Sequence, residues 1–171
     1  PRNTRRCTYR PQVKGDRARI EEAVEMIAKA NRPIFYGGGG LINSGAKASR
    51  LFSEFVRLTG YPATLTLMGL GALPSTDKHF LGMLGMHGTY EANLAMHHCD
   101  VMVNIGARFD DRVTGRLDAF APGAKKIHVD IDQSSINKNI YVDVPIVGDA
   151  ATVLEEERRR KQKASSVNVH F

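Results

Sequence analysis

Four ionisable side chains crowd into five residues of this chain: Arg108, Asp110, Asp111 and Arg112. A guanidinium offers a planar fork of N–H donors that matches a phosphate or a carboxylate. The two arginines could therefore receive an anionic ligand, with the aspartates orienting them. The same groups could equally neutralise one another as solvated ion pairs of little energetic weight. Position favours the ligand. The cluster follows the apolar run Val101-Met102-Val103-Asn104-Ile105 and Gly106, where a strand would end.

Other segments share that placement. Residues 37–40 are four consecutive glycines after Ile34-Phe35-Tyr36. Glycine lets backbone N–H groups approach a phosphate, so Gly37, Gly38, Gly39 and Gly40 form either a pyrophosphate cradle ahead of a helix or a ligand-free tight turn. The fingerprint G-x-G-x-x-G is not met, because its last position falls on Ile42 or Asn43. The next strand ends in Leu65-Thr66-Leu67, without the acid that would hold an NAD ribose. In Thr66-Leu67-Met68-Gly69-Leu70-Gly71 a hydroxyl and soft apolar side chains between glycines suit a flat ring, or equally a loop packed on the core. Leu84-Gly85-Met86-His87-Gly88 has the same character. Met packs well against aromatic rings, and His87 brings a donor and an acceptor, although a lone His beside Gly is more often structural. His128-Val129-Asp130-Ile131-Asp132 ends a strand in two acids able to accept ribose hydroxyls or ring amines. Asp132 and Asp149 could instead cap helices.

The sequence offers no nucleophile elbow, no Cys/His pair at informative spacing and no P-loop lysine. Cys7 and Cys99 are too few for a disulfide framework or a zinc site. His97, His98 and Cys99 are neighbours whose side chains diverge on a helix, so no metal is expected there. A length of 171 residues, 42% hydrophobic and 25% charged, fits one soluble globular domain. No apolar run nears the roughly 20 residues of a membrane span. No secretory leader is read at the start, and with only two scattered cysteines the cytoplasm is the default expectation. The net charge of +6 resides at the ends, with +6 over residues 1–19, +2 over 155–163 and −2 over 20–154. Solvated tails explain that distribution better than a nucleic-acid surface.

Residues 1–15 read as an extended linker, 16–154 as the folded domain and 155–171 as a charged tail. A helix is predicted from Asp16, with Ile20, Val24, Ile27 and Ala28 on one face. Strands are predicted at 34–36, 62–65, 101–105, 126–130 and 144–147. A second helix spans 45–59, with Leu51, Phe52, Phe55, Val56 and Leu58 as its apolar side. A third spans 89–98, and a short one begins at Gln133. Asp149 caps a closing helix whose charged continuation through Lys163 frays. Residues 73–87 look irregular, and 108–115 form a loop. Alternating short apolar strands and helices imply a parallel sheet covered on both faces. Ligands of such sheets sit beyond the carboxyl ends of the strands.

From Tyr9 to Leu154 the chain resembles the central domain of acetohydroxyacid (acetolactate) synthase catalytic subunits, within the thiamine-diphosphate enzyme family. The resemblance rests on 66–71, 84–88, 106–115 and Ile136-Asn137-Lys138 ahead of Val147-Gly148-Asp149. Related carboligases such as glyoxylate carboligase depart around Arg108-Phe109-Asp110-Asp111-Arg112. The resemblance implies a doubly wound α/β fold with a mainly parallel, about six-stranded Rossmann-like sheet that holds FAD in an extended form. The implied FAD contacts are Gly38, Gly39, Gly40, Thr66, Leu67, Met68, Leu84, Gly85, Met86, His87, Gly106, Arg108, Asp110, Arg112, Val113, Asp130, Ile131 and Asp149.

Met86, Asp111 and Arg112 would also line the substrate entry, with Arg112 meeting the carboxylate of the second 2-ketoacid. FAD takes no net part in redox there, and the protein's task is to position it. The carbon–carbon bond is made by thiamine diphosphate with Mg2+, held by a preceding and a following domain. Two subunits complete each site, and a regulatory subunit is a further partner to consider. The chain then supplies no catalytic residue and should be inactive alone. Competing expectations are a free-standing nucleotide-binding or regulatory domain and a nicotinamide-dependent oxidoreductase domain.

Overall fold

Asp16 opens the first helix, α1 (Arg17–Lys29): its carboxylate accepts the amide hydrogens of Ala18 and Arg19 at 2.8 and 3.2 Å. Those are two of the donors a helix start leaves without partners. The computed structural model describes residues 11–167; residues 1–10 of the expected linker, with Cys7, lie outside the described residues. The buried stripe of α1 is Ile20, Ala23 and Ile27. Val24 is half-buried and Ala28 exposed, so the contact face is rotated from the expected one.

Six strands follow: β1 (Pro33–Gly37), β2 (Ala63–Leu65), β3 (Phe80–Met83), β4 (Val101–Ile105), β5 (Lys125–Asp130) and β6 (Val144–Val147). They form one sheet in the order β3-β2-β1-β4-β5-β6, with every neighbouring pair parallel. This is the doubly wound order expected for an α/β fold. The central strands β1 and β4 are buried at every residue, which explains their lack of alternation.

β3 corrects the expectation that 73–87 is irregular. Its four half-buried residues include Gly82, and its pairing with β2 is interrupted by a register shift. An anchor just before it holds the edge. The Asp77 carboxylate accepts Arg57 Nε at 2.7 Å and the His79 amide at 3.0 Å. The His79 amide and the Arg57 guanidinium hold the Asp77 carboxyl down at about 2.

One face of the sheet carries α1, α2 (Gly39–Asn43), α3 (Ala46–Thr59) and α6 (Ala150–Val167). Phe35 of β1 meets Phe52 and Phe55 of α3 edge-on, with ring centroids 6.3 and 5.3 Å apart. Leu58, expected on the buried side of α3, is 50% exposed. The α3 stripe instead includes Ala48 and Ser53, whose hydroxyl donates to the Ala72 carbonyl at 3.0 Å. α6 extends past Leu154 to Val167, so the charged continuation is helical. Its charges find partners: Arg160 pairs with Glu156 at 2.8 Å and with Glu21 of α1, while Glu157 is completely buried.

The other face is covered by α4 (Tyr90–His98) and by the segment between β4 and β5, which contains the single turn α5 (Asp111–Thr114). The expected 108–115 loop therefore holds one turn of helix. Phe109 and Phe120 close this face over Tyr36 and Met102. Among the described residues no helix is long and apolar enough to cross a membrane.

Candidate functional site

All six strands end at one edge, and β1 and β4 lie side by side there. Their connections leave in opposite directions, which opens a crevice at the switch point. The glycines at this point pack backbone on backbone. The Gly38 amide donates to the Ile105 carbonyl and the Gly40 amide to the Gly106 carbonyl, each at 2.9 Å. A Cβ on Gly40 would lie 2.6 Å from the Gly106 Cα, and Gly106 itself has φ +65°. Two amides of the expected phosphate cradle are thus committed within the protein. The run works as a close-packed turn that starts α2 at Gly39, facing Met68.

Around this turn lies an apolar rim. Thr66 accepts the Gly69 amide hydrogen at 3.0 Å, so its hydroxyl caps a short 3-10 turn. That turn presents Leu67 and Met68, which are 68% and 73% exposed. Met86 and Ile131 are also exposed at this edge.

The loop after β3 is built on Gly85, at φ +107°, with the Asn93 side chain bracketing its N–H and C=O at 3.1 Å each. The Met86 amide donates to the Arg112 carbonyl at 3.1 Å, so the loop rests on α5. The Leu84 side chain is buried in the second core, leaving only its backbone for a ligand. Val113 packs against that core, and His87 is exposed with no hydrogen bond among the described residues.

The charged cluster is paired internally, Arg108 with Asp110 at 2.9 Å and Arg112 with Asp111 at 3.9 Å, all four exposed or half-exposed. Arg108 also lines a cleft of about 270 Å³ with Gly40, Ser44, Asp130, Ile131, Asp132, Ser135 and Asp149. One oxygen of Asp130 accepts the Asp132 amide hydrogen at 2.8 Å; the other stands 3.8 Å from Nε2 of the fully buried His128. Asp132 caps the turn Gln133–Ser135 through the Ser134 amide at 2.9 Å.

Asp149 caps α6 as expected, accepting the Thr152 amide hydrogen at 3.2 Å, and its other oxygen accepts the Ser44 hydroxyl at 2.5 Å. Both of its oxygens are therefore committed. Ser44 and Ser135 line the cleft without any mark in the sequence, since a serine in a connecting segment carries no signal of its own.

The structure thus groups Gly39 with Met68, Gly85 and Met86 with Arg112 and Val113, and Gly40, Arg108, Asp130, Ile131 and Asp149 around the cleft. Among the described residues no cluster of His, Cys, Asp and Glu could hold a metal ion.

Known proteins are similar in sequence to this chain. An acetolactate synthase large subunit of Haemophilus influenzae is 52% identical over 149 residues, covering 87% of this chain and 26% of that protein. An acetolactate synthase large subunit of Buchnera aphidicola subsp. Schizaphis graminum is 47% identical, over 95% of this chain and 28% of its own length. The acetolactate synthase isozyme 3 large subunit of Escherichia coli is 44% identical, over 91% and 27%. The chain thus spans about a quarter of the length of the curated relatives it matches. The family described as thiamine pyrophosphate enzyme, central domain, matches residues 20–156. With that match running from α1 into α6 across the whole sheet, the chain belongs to the thiamine pyrophosphate enzyme central-domain family.

Proposed function

We propose that this chain is the FAD-holding central domain of an acetolactate synthase, an enzyme that condenses two pyruvates, or pyruvate and 2-ketobutyrate, to an acetohydroxyacid with loss of CO2. The observation that carries the FAD assignment is the apolar rim. Leu67, Met68, Met86 and Ile131 project from loops after three different strands, at the edge where doubly wound sheets take their ligands. A flat aromatic ring system with a charged tail is the ligand such a rim and the neighbouring Arg108 and Arg112 suit.

The residues fit the cofactor unevenly. Soft side chains for a ring and guanidinium groups for a pyrophosphate are available, and Asp130 keeps one carboxylate oxygen free of hydrogen bonds among the described residues. Gly38, Gly40 and Asp149 would serve by shaping the turn and the cleft, since their amides and carboxylate already have partners. FAD would be held as a structural element here. Thiamine diphosphate with Mg2+ would supply the carbon–carbon bond chemistry from residues outside these 171. Met86, Asp111 and Arg112 would border the route of the second 2-ketoacid, and Arg112 would meet its carboxylate. Partner domains of the same enzyme, assembled as a homodimer or larger oligomer, would complete the site.

The test is a titration of the purified chain into FAD, following flavin fluorescence, with NAD as competitor. Saturable quenching that NAD does not reverse is the expected result. Reversal by NAD would favour a nicotinamide-dependent domain. The chain alone, given every cofactor, should form no acetolactate.

A further inference from the structure

The carboxyl half of β4 holds one residue its packing does not call for. Asn104 is fully buried between Val103 and Ile105, in register with Tyr36 of β1 and His128 of β5. A polar amide in a buried parallel strand is costly unless both its ends are hydrogen-bonded. Asn104 meets that condition on a single neighbour: it accepts the Ala107 amide hydrogen at 3.1 Å and donates to the Ala107 carbonyl at 2.6 Å. A second amide acts from the connection between β5 and β6, where Asn139 donates to the Phe109 carbonyl at 2.7 Å. The backbone on either side of Arg108 is therefore held by a side chain from outside the turn.

At the second of these bonds the Phe109 ring points inward. It is 3% exposed, with centroids 6.2 Å from Tyr36, 5.7 Å from Phe120 and 5.2 Å from His128. Alternation along the chain then sends Arg108 and Asp110 outward, where their side chains are 68% and 44% exposed. The ion pair between them is too solvated to fix a direction by itself. We propose that Asn104 and Asn139 are positioning residues that set the backbone of the turn at 108–110, and with it the direction of Arg108. Their effect on a ligand rests on the flavin reading above.

Limited trypsin digestion of the whole chain tests this without any ligand, because Arg108 and Arg112 are cleavage points on the turn. Asn139 is exposed and makes this one hydrogen bond among the described residues, so Asn139→Ala should lower the thermal midpoint by only about 2–4 °C and leave the chain folded. It should speed cleavage after Arg108 and Arg112 about fivefold, the worth of one hydrogen bond. Cleavage after Arg17 and Arg19 should stay unchanged. Asn139→Asp keeps the shape but has no N–H to donate, and should behave like Asn139→Ala. Wild-type cleavage rates in both variants would overturn the proposal.

Asn104→Ala strands two buried backbone groups and can lose the fold, so Asn139 carries the test. In FAD titrations Asn139→Ala should weaken binding by a similar factor, and equal affinity would overturn the positioning role. Faster cleavage in a wild-type background that quenches no flavin would uphold the hold on the turn and refute the flavin site.

Discussion

The Met86 amide donates its hydrogen to the Arg112 carbonyl at 3.1 Å, joining the loop after β3 to the helical turn after β4. β3 and β4 are not neighbours in the sheet, since β2 and β1 lie between them. The bond thus bridges the carboxyl edge and joins the backbones of two residues whose side chains are exposed.

Gly85 makes that bridge possible. Its φ is +107°, and a Cβ there would lie 2.8 Å from the Arg112 carbonyl oxygen. Gly85→Ala should therefore push the two loops apart, at a stability cost of about 1–3 kcal/mol. Chemical denaturation measures that cost, and FAD affinity should fall in the same variant. An alanine variant with unchanged stability and affinity would separate the bridge from the site.

Arg108 makes a contrasting prediction. Its ion pair with Asp110 is solvent-exposed and adds little to folding. Arg108→Ala should leave the thermal midpoint where it is while weakening FAD binding roughly tenfold, the scale of a lost charge-assisted hydrogen bond. Parallel melting and fluorescence titrations separate the two effects.

How far these features can be read from the residues depends on how local their causes are. β1, β4, β5 and β6 announce themselves as short apolar runs, and Asp16, Thr89 and Asp149 mark helix starts because capping is decided within three or four residues. β3 is invisible because its stability comes from β2 on one side and from Asp77 holding Arg57, twenty residues away, on the other. The loops of the site are legible as loops. Their contents divide differently: Leu67 and Met68 do lie open, while Leu84 turns into the core. No period in the sequence distinguishes those outcomes, since each depends on what the neighbouring loop leaves uncovered. Asn104 and Asn139 escape notice because their partners are backbone groups.

Glu157 gives the fold a pH dependence. It is completely buried on the face of α6, without a hydrogen-bond partner among the described residues, and burial pushes its carboxyl up to about 8. A raised folded-state value means the folded chain holds a proton that the unfolded chain releases near its ordinary value of 4.5. Stability should then fall as pH rises from about 4.5 to about 8, and level off above that. Urea midpoints measured across this range should show the decline, and Glu157→Gln should flatten it. A slope that persists in the glutamine variant would assign the dependence to other groups.

The α3 core should be the least forgiving region. Phe52 is fully buried with its ring against Phe35. Phe52→Ala should cost about 3–5 kcal/mol, read from chemical denaturation. A loss under 1 kcal/mol would mean that α3 can collapse onto the sheet and fill the gap.

The most direct measurement is backbone hydrogen exchange of the chain with and without saturating FAD. The account predicts protection on adding FAD at 66–70, 84–88, 106–115 and 130–135, the loops that follow β2, β3, β4 and β5. It predicts no change at the amino ends of the strands, around Asp100 and Lys125. Protection confined to that opposite edge, or none at the four loops, would contradict the assignment of the carboxyl edge as a flavin site.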